Sequence, residues 1–286
     1  MIRYVDSPAL SERLSQLLLG EDLLHACFLA TYKNARAPGA DFWLCENGAP
    51  YGALMRTDSG FIFCSGEKPD FAELREFLRF IGCRCLCARL PVLEKLAAPL
   101  SLTSFEHAPA MVRRGGFSLS FPEREENIAI RRETENRRPV YELIDRHYEG
   151  FDNYGGGPGY DRWLSGMRLR ERDGVCGVWG LYINGELVST ASIMSASERC
   201  ADIGTVVTRK DCRGRGYAAR LIDFLCRQLE KSGRLPVLGC ANERLQGYYQ
   251  RLGFTAYDRW AAAEQREVPP KTPEAAQTEE GAFNRK

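Results

Sequence analysis

The chain has 286 residues, more than one compact core usually holds, so the length predicts two domains. Hydrophobic residues make up 44% and charged residues 27%, which is typical of a globular protein. The 39 Lys and Arg balance 38 Asp and Glu, and a net charge of +1 creates no field that would attract a polyanion. The composition therefore excludes nucleic acid as an expected partner.

The start of the chain and its cysteines bear on the compartment. The opening residues MIRYVDSPALSERLSQLLLG lack the pattern of a signal peptide, and no stretch approaches the roughly 20 apolar residues that cross a bilayer. The 11 cysteines favour a reducing compartment over a disulfide framework. The spacing of Cys83, Cys85 and Cys87 predicts one face of a strand rather than a zinc site, which prefers CxxC pairs. We expect a cytoplasmic protein without a membrane partner or a metal.

The first half contains a hairpin, a third strand and a helix in sequence order. The Asn47–Gly48 pair between apolar runs is a strong hairpin signal, and the next strand is predicted at Phe61 to Cys64. The segment DFAELREFLRFIG has the apolar spacing of an amphipathic helix that Gly82 closes. The cysteine strand follows this helix.

The second half repeats that order. Its hairpin turns at Asn184–Gly185, CADIGTVVT forms a third strand, YAARLIDFLCRQLEKSG a helix ending at Gly233, and LPVLGCA another strand. The repeat is far longer than that of a solenoid, so it predicts a duplicated domain. The segment MVRRGGFSLSFPEREEN, rich in Gly, Arg and Glu, is predicted to be a connector. The predicted units are a first lobe at 1–115, a linker at 116–126, a second lobe at 127–265 and a disordered tail at 266–286.

A glycine-rich turn between a strand and a helix carries the chemistry. The strand from Ile203 to Val207 leads into Arg213, Gly214, Arg215, Gly216, Tyr217 and Ala218, directly before the helix. Glycines allow a ligand to approach the backbone, and a helix N-terminus contributes about half a positive charge, so the turn predicts an anion site. GRGYAA also fits the GxGxxA dinucleotide pattern. In a dinucleotide fold the glycines follow the first strand almost directly, whereas three strands come first here. This order of elements argues against a dinucleotide site.

Two segments resemble the GNAT superfamily of acetyltransferases. Its cofactor motif is Arg or Gln, two residues, Gly, one residue, then Gly or Ala, which Arg213, Gly216 and Ala218 satisfy, although Lys210 stands where Pro is frequent. CANERLQGYYQRLGF is similar to a second family segment, in which Asn242 is followed seven residues later by Tyr249 and then by LGF. The resemblance covers about 140 residues, from the Ile128 strand through Tyr257.

The resemblance implies an α/β (α+β) fold of two tandem GNAT-like lobes, each a mixed, mostly antiparallel sheet flanked by helices. It implies acetyl-CoA as cofactor, with Asn242 on the pantetheine or phosphate arm and Tyr249 near the thioester sulfur. The residues expected to bind the cofactor are Val206, Val207, Thr208, Arg213, Gly214, Arg215, Gly216, Tyr217, Ala218 and Asn242. In the first lobe Pro69 and Asp70 replace the glycines and Glu67 opposes an anion, so we expect a degenerate lobe without cofactor that serves as lid, substrate wall or homodimer surface.

The hypothesised mechanism is direct transfer. Backbone N–H groups near Val207 and Thr208 would polarise the thioester carbonyl, and Tyr249 would protonate the leaving thiolate. Asp202 is the candidate base, directly or through water, and His147 is the alternative.

Structural roles compete with each of these assignments. Asn242 could be an N-cap, and Tyr249 shares a helix face with Leu245, Tyr248 and Leu252, so it could be a core aromatic. Asp202 could be a solvated strand end, and Arg213 and Arg215 could be solvated surface charges. The spacing alone does not separate Tyr248 from Tyr249.

Substrate preference is expected in HYEGFDNYGGGPGYDRW, where the family places a variable lid. Tyr148, Phe151 and Tyr154 are the candidate substrate residues, because aromatic faces beside carboxylates suit a cationic amine. An aromatic surface loop packed on its own helices is the alternative. The predicted function is acetyl-CoA-dependent N-acetylation of a small amine, amino-acid derivative or peptide. A CoA-binding sensor without turnover and an interaction protein are the other two classes.

Overall fold

The computed structural model describes residues 1–20, 23–33, 40–58, 60–66, 68–115, 117, 119–121, 127–148 and 159–265. The predicted tail at 266–286 and most of the predicted linker lie outside these ranges, so both stay predictions. None of the helices within them is long and apolar enough to cross a membrane.

The first half begins with a short strand and two helices, which precede the predicted hairpin. Gly48 has a φ of 76° in the hairpin turn, a conformation that glycine adopts at no steric cost. The elements are β1 Ile2–Tyr4, α1 Pro8–Leu17, α2 Leu23–Lys33, β2 Asp41–Asn47, β3 Ala49–Thr57, β4 Gly60–Ser65, α3 Phe71–Phe80, β5 Cys85–Arg89, α4 Leu90–Leu96 and β6 Ser104–Arg113.

The second half has the predicted strands and helices in the predicted order. Asn184 and Gly185 both have positive φ, 50° and 89°, as a tight two-residue hairpin turn requires. The elements are β7 Ile128–Arg132, α5 Arg138–His147, α6 Tyr160–Arg170, β8 Gly177–Ile183, β9 Glu186–Ala196, β10 Cys200–Thr208, α7 Tyr217–Lys231, β11 Leu235–Gly239, α8 Glu243–Gln250 and β12 Phe254–Glu264.

The described strands form one continuous sheet in the order β1-β2-β3-β4-β5-β12-β6-β11-β10-β9-β8-β7. Only β4 with β5 and β10 with β11 pair in parallel, so the mixed, mostly antiparallel α/β architecture is confirmed. The two halves exchange strands. β6 of the first half lies between β11 and β12, and β12 of the second half lies between β5 and β6.

Two local predictions were wrong. Residues 111–113 were assigned to the connector but complete β6, where Val112 pairs with both Thr255 and Val237. Cys83 was placed in a strand with Cys85 and Cys87, but β5 begins only at Cys85. Cys83 instead belongs to the turn after α3, where its amide donates to the Leu78 carbonyl at 2.9 Å.

Helices cover both faces of the second half's sheet. On one face α7 packs against β9, β10 and β11, and Leu221 shares a core with Ala191. On the other face α5 packs against β9 and β10, and Ile144 shares a core with Val207. Helix α2 of the first half also packs against β9, β10 and β11. The first half therefore supplies part of the cover over the strands of the second.

A buried arginine joins β6 to α7. Arg113 is fully buried, and its Nη1 lies 2.8 Å from Asp223 Oδ1 while its Nε lies 3.3 Å from Glu230 Oε1. Its Nη2 donates to the Phe117 carbonyl at 2.9 Å. The end of β6 is thereby fixed to the helix that follows the glycine-rich turn.

We expect Arg113→Met to lower the free energy of unfolding by about 3–5 kcal/mol, because it removes a fully buried cation and leaves the buried Asp223 with only the exposed Arg227 as its partner. Chemical denaturation of the full chain measures the change. Arg146→Met, which removes the exposed pair with Glu142, is the matched control and is expected to cost about 0.5 kcal/mol or less. Equal losses in the two variants would contradict the stabilising role of the Arg113 cluster.

Candidate active site

The parallel strands β10 and β11 separate halfway along β10. Their pairing runs from Cys200 with Leu235 to Asp202 with Val237, whereas β10 continues to Thr208. The β9–β10 register is irregular in the same stretch, and Thr205 has a φ of 49°, a rare conformation for a β-branched residue. Beyond Asp202, one edge of β10 therefore has no strand partner among the described residues.

The unpaired edge of β10 exposes alternate backbone groups. The Val207 carbonyl accepts from Ser189 Oγ at 3.0 Å and the Arg209 amide donates to the Val188 carbonyl at 2.9 Å, so both residues direct their backbone towards β9. The backbone N–H and C=O groups of successive residues in a strand point to alternate edges, so those of Val206 and Thr208 point to the open edge. The N–H of Val207 was a predicted carbonyl donor, but Val206 and Thr208 are the residues that the geometry favours.

The predicted anion loop has the geometry of a cradle. Gly214 and Gly216 have φ values of 77° and 83°, and a Cβ added to either would meet no described atom within 4 Å. Helix α7 begins after Gly216 with no side-chain cap from the described residues and no acidic residue in its first turn. In the first half, by contrast, Asp70 accepts from the amides of Ala72 and Glu73 at the start of α3. The first amides of α7 are left for a ligand, whereas a carboxylate already occupies those of α3.

The two arginines and the tyrosine of this loop have different positions. Arg213 donates to the carbonyls of Thr208 at 3.2 Å and His147 at 2.9 Å, so it ties the loop to β10 and α5. Arg215 is exposed at the turn. Tyr217 is buried in the core, so its backbone N–H, not its ring, is the group that can reach a ligand. Ala218 is half-buried in the first turn of α7.

Asp202 occupies the point where β10 and β11 separate. Burial raises the pKa of its carboxyl to about 7, and the charge of Arg170 opposes that rise. A carboxyl that titrates near neutral pH can accept a proton from an ammonium group. Asp202 is half-buried, and its raised pKa distinguishes it from the solvated strand end of the competing prediction.

Tyr249 lies in the core of the second half, in the cluster that contains the buried residues of α7. Its ring centroid is 5.9 Å from that of Phe254 and 5.2 Å from that of Tyr248. Burial raises the pKa of Tyr249 well above its usual range, and the neighbouring Tyr248, Cys240, Tyr148 and Asp202 add to the rise. The predicted base Asp202 and the predicted substrate residue Tyr148 thus influence the pKa of Tyr249, but burial is the largest cause of its rise. Tyr249 is also the core aromatic of the competing prediction.

Tyr248 differs from its neighbour in its hydroxyl. The Tyr248 Oη atom is buried with no hydrogen-bond partner among the described residues, and burial raises the pKa of Tyr248 to about 12. Asn242 is the predicted N-cap, because its Oδ1 accepts from the Leu245 amide at 3.0 Å. Its side chain is exposed, so the cap leaves its amide nitrogen available to a ligand.

The remaining predicted residues are distributed around the loop. Burial lowers the pKa of His147, with Lys210 and Arg213 adding to the effect, so His147 lies beside the cradle as a neutral imidazole. Tyr148 is exposed, whereas Phe151 and Tyr154 lie outside the described residues. Of the other aromatic residues in the predicted lid, Tyr160 and Trp163 pack against Tyr141 with ring centroids 5.5 and 5.6 Å away.

The glycine-rich turn before α7 and the separating strands β10 and β11 lie in the part of the chain that matches a known family. Residues 137–254 match the model of the acetyltransferase (GNAT) family, so this part of the chain is a GNAT domain. The match of this part of the chain supports an acyl-transfer activity. The matched range includes the cradle, Asp202, Asn242 and Tyr249.

Solved structures with the same fold span nearly the whole chain. A GNAT-family acetyltransferase from Colwellia psychrerythraea is 16% identical, with 93% of this chain and 100% of that chain covered and a TM-score of 0.60. A GCN5-related N-acetyltransferase from Sphaerobacter thermophilus is 15% identical (93% and 96% covered, TM-score 0.59). A tandem GNAT protein from the clavulanic acid biosynthesis pathway is 16% identical (93% and 99% covered, TM-score 0.56), and it supports the two-lobe architecture. A search of curated proteins found no match.

Proposed function

We propose that the protein is an acetyl-CoA-dependent N-acetyltransferase that transfers the acetyl group directly to a primary amine of a small molecule, an amino-acid derivative or a peptide. The observation that carries the proposal is the uncapped start of α7 behind two left-handed glycines, next to the unpaired edge of β10. Acetyl-CoA, when bound, supplies the acetyl thioester. The loop from Arg213 to Ala218 would hold its pyrophosphate, and Asn242 would contact its arm.

The residues divide the chemistry among them. Asp202 would take one proton from the acceptor ammonium group, and the resulting neutral amine would form the new C–N bond as the C–S bond breaks. The second proton of the nitrogen would pass to the leaving thiolate. The N–H groups of Val206 and Thr208 donate to the carbonyl oxygen. Because its pKa is raised, Tyr249 stays protonated, and it stabilises the leaving thiolate by a hydrogen bond rather than by complete proton transfer.

We expect Gly216→Val to weaken CoA binding about 10- to 100-fold, since a β-branched residue at a φ of 83° strains the cradle and its side chain fills the open space. Isothermal titration with CoA measures the change. Gly82→Val is the matched control. Gly82 also has a positive φ, 70°, and a Cβ added to it would likewise meet no described atom within 4 Å, but it lies in the first half, outside the cradle. CoA binding that is equally weakened in both variants would show a general loss of folding instead of a local effect.

Thiol release from acetyl-CoA on a panel of primary amines tests the proposal. We expect Tyr249→Phe to lower kcat about 10- to 100-fold with little change in KM, because the hydroxyl acts on the leaving group. Tyr248→Phe is the control and should leave turnover unchanged, since it removes a buried hydroxyl that no described residue pairs with. Unchanged turnover in Tyr249→Phe would remove its assigned role. CoA binding without release on any amine would favour the sensor class.

A further inference from the structure

A second group of polar side chains faces the site from the side of the sheet opposite α7. Ser195 of β9 is the direct cross-strand partner of Asp202, so the two side chains lie next to each other on one face. Ser195 is 5% exposed, and its Oγ has no hydrogen-bond partner within the described part of the chain. A buried hydroxyl without a partner costs free energy, which a ligand that pairs with it would recover.

Arg170 stands over the same stretch of β10. Its Nη1 lies 3.8 Å from Met194 Sδ, and Met194 Sδ lies 3.3 Å from Thr205 Oγ1 in the irregular part of the strand. Met194 also covers Gly204, where an added Cβ would come within 2.8 Å of Met194 Cγ. The last residue of α6 is therefore held above the point where β10 leaves β11.

The guanidinium of Arg170 is exposed, and no carboxylate of the described residues forms an ion pair with it. Burial raises the pKa of the Asp202 carboxyl and of the Cys27 thiol on α2, and the charge of Arg170 opposes both rises. Arg170, through Met194, and Asp202, opposite Ser195, thus lie along the same stretch of β9 and β10 without an ion pair between them in the described part of the chain. Helix α2 of the first half packs against the same two strands.

We propose, on the basis of the proposed function, that the acceptor is an α-amino acid whose carboxylate pairs with Arg170 and whose amino group lies between Asp202 and Ser195. A zwitterion matches the unpaired opposite charges, because its two charged groups are separated by a single carbon atom. Guanidinium and carboxylate groups form strong charge-assisted hydrogen bonds. Ser195 is a positioning residue that accepts from the amino group, and Arg170 determines specificity.

Acetylation of alanine, alaninamide and ethylamine by the full chain tests the inference. We expect wild-type kcat/KM to be about 30- to 100-fold higher for alanine than for the other two amines. Arg170→Gln should remove that preference by raising KM for alanine. Arg170→Lys, which keeps the positive charge, should retain part of the preference. Arg168→Gln, at an exposed position on the same helix, is the matched control and should retain the preference.

Ser195→Ala should lower kcat/KM about tenfold for all three amines, since it acts on the amino group that they share. Its melting temperature should not fall, because the substitution removes an unpaired buried hydroxyl, and this separates positioning from a structural role. Equal use of alanine and alaninamide by the wild type, or equal effects of Arg170→Gln and Arg168→Gln, would overturn only the inference. Acetylation of no amine at all would overturn the proposed function and the inference with it.

Discussion

Residues 127–265 expressed alone are expected to be insoluble or unfolded, even though they include the whole match to the GNAT family. Without the first half, β11 and β12 lose β6, the strand that lies between them and pairs with both. The register of β12 on β6 extends from Phe254 with Arg113 to Glu264 with Ser104, so the loss exposes a long row of backbone groups. The truncation also removes α2 from its face of the sheet and Arg113 from its two carboxylates.

The matched control is the full chain with a protease site introduced into the segment 122–126. We expect the two fragments to elute together from a sizing column after cleavage, because the exchanged strands hold each half in the sheet of the other. Circular dichroism and proton–nitrogen NMR spectra of the isolated fragment report its folding. A folded, CoA-binding fragment 127–265 would show that the second half completes its sheet without β6.

Asp202→Asn is expected to lower kcat/KM about 10²- to 10⁴-fold and yet to stabilise the fold above neutral pH. The loss of activity follows from removal of the base, since Asn cannot take a proton from the acceptor. Wild-type kcat/KM should fall about tenfold per pH unit below about 7, because the active form of Asp202 is ionised. Asp161→Asn, at an exposed position of α6, is the control for both measurements.

The gain in stability depends on pH in a defined direction. An aspartate of the unfolded chain titrates near pH 3.9, whereas the folded-state pKa of Asp202 is about 7. Between these values the folded state keeps a proton that the unfolded state has lost, so folding becomes less favourable as pH rises and stays so above 7. Asp202→Asn should therefore gain about 1–3 kcal/mol at pH 8 and progressively less towards pH 4. Thermal melting at pH 5 and pH 8 measures this, and a loss of stability at pH 8 would contradict the burial of the carboxyl.

The sequence predicts well those features that neighbouring residues determine. The Asn184–Gly185 turn needs two positive φ values, and the amphipathic pattern after Gly216 predicts α7 because its apolar residues repeat with the period of a helix. The N-cap at Asn242 and the cradle glycines follow from the same local chemistry. The glycine-rich turn, the start of α7 and the cap of α8 could thus be predicted from the order of the residues alone.

Strand exchange could not be predicted, because β6 and β12 pair over a long sequence distance and their patterns do not identify a partner. Asp202 was only one of two candidate bases, because its half-buried position and raised pKa depend on the packing around β10. Arg170 is one of several arginines near the end of α6, and only its contact with Met194 distinguishes it. Ser195 was not among the predicted site residues. The segment STASIMS, which places hydroxyl side chains at buried positions of a strand, could have indicated it.

The exchange of β6 and β12 also bears on the order of events at the ribosome. β6 is complete at residue 113, but β12, its neighbour in the sheet, begins only at residue 254. At about 5–20 residues per second the delay is on the order of 10 s, during which β5 and β6 present unpaired backbone edges. We therefore expect the nascent first half to expose these strand edges until β12 has been synthesised.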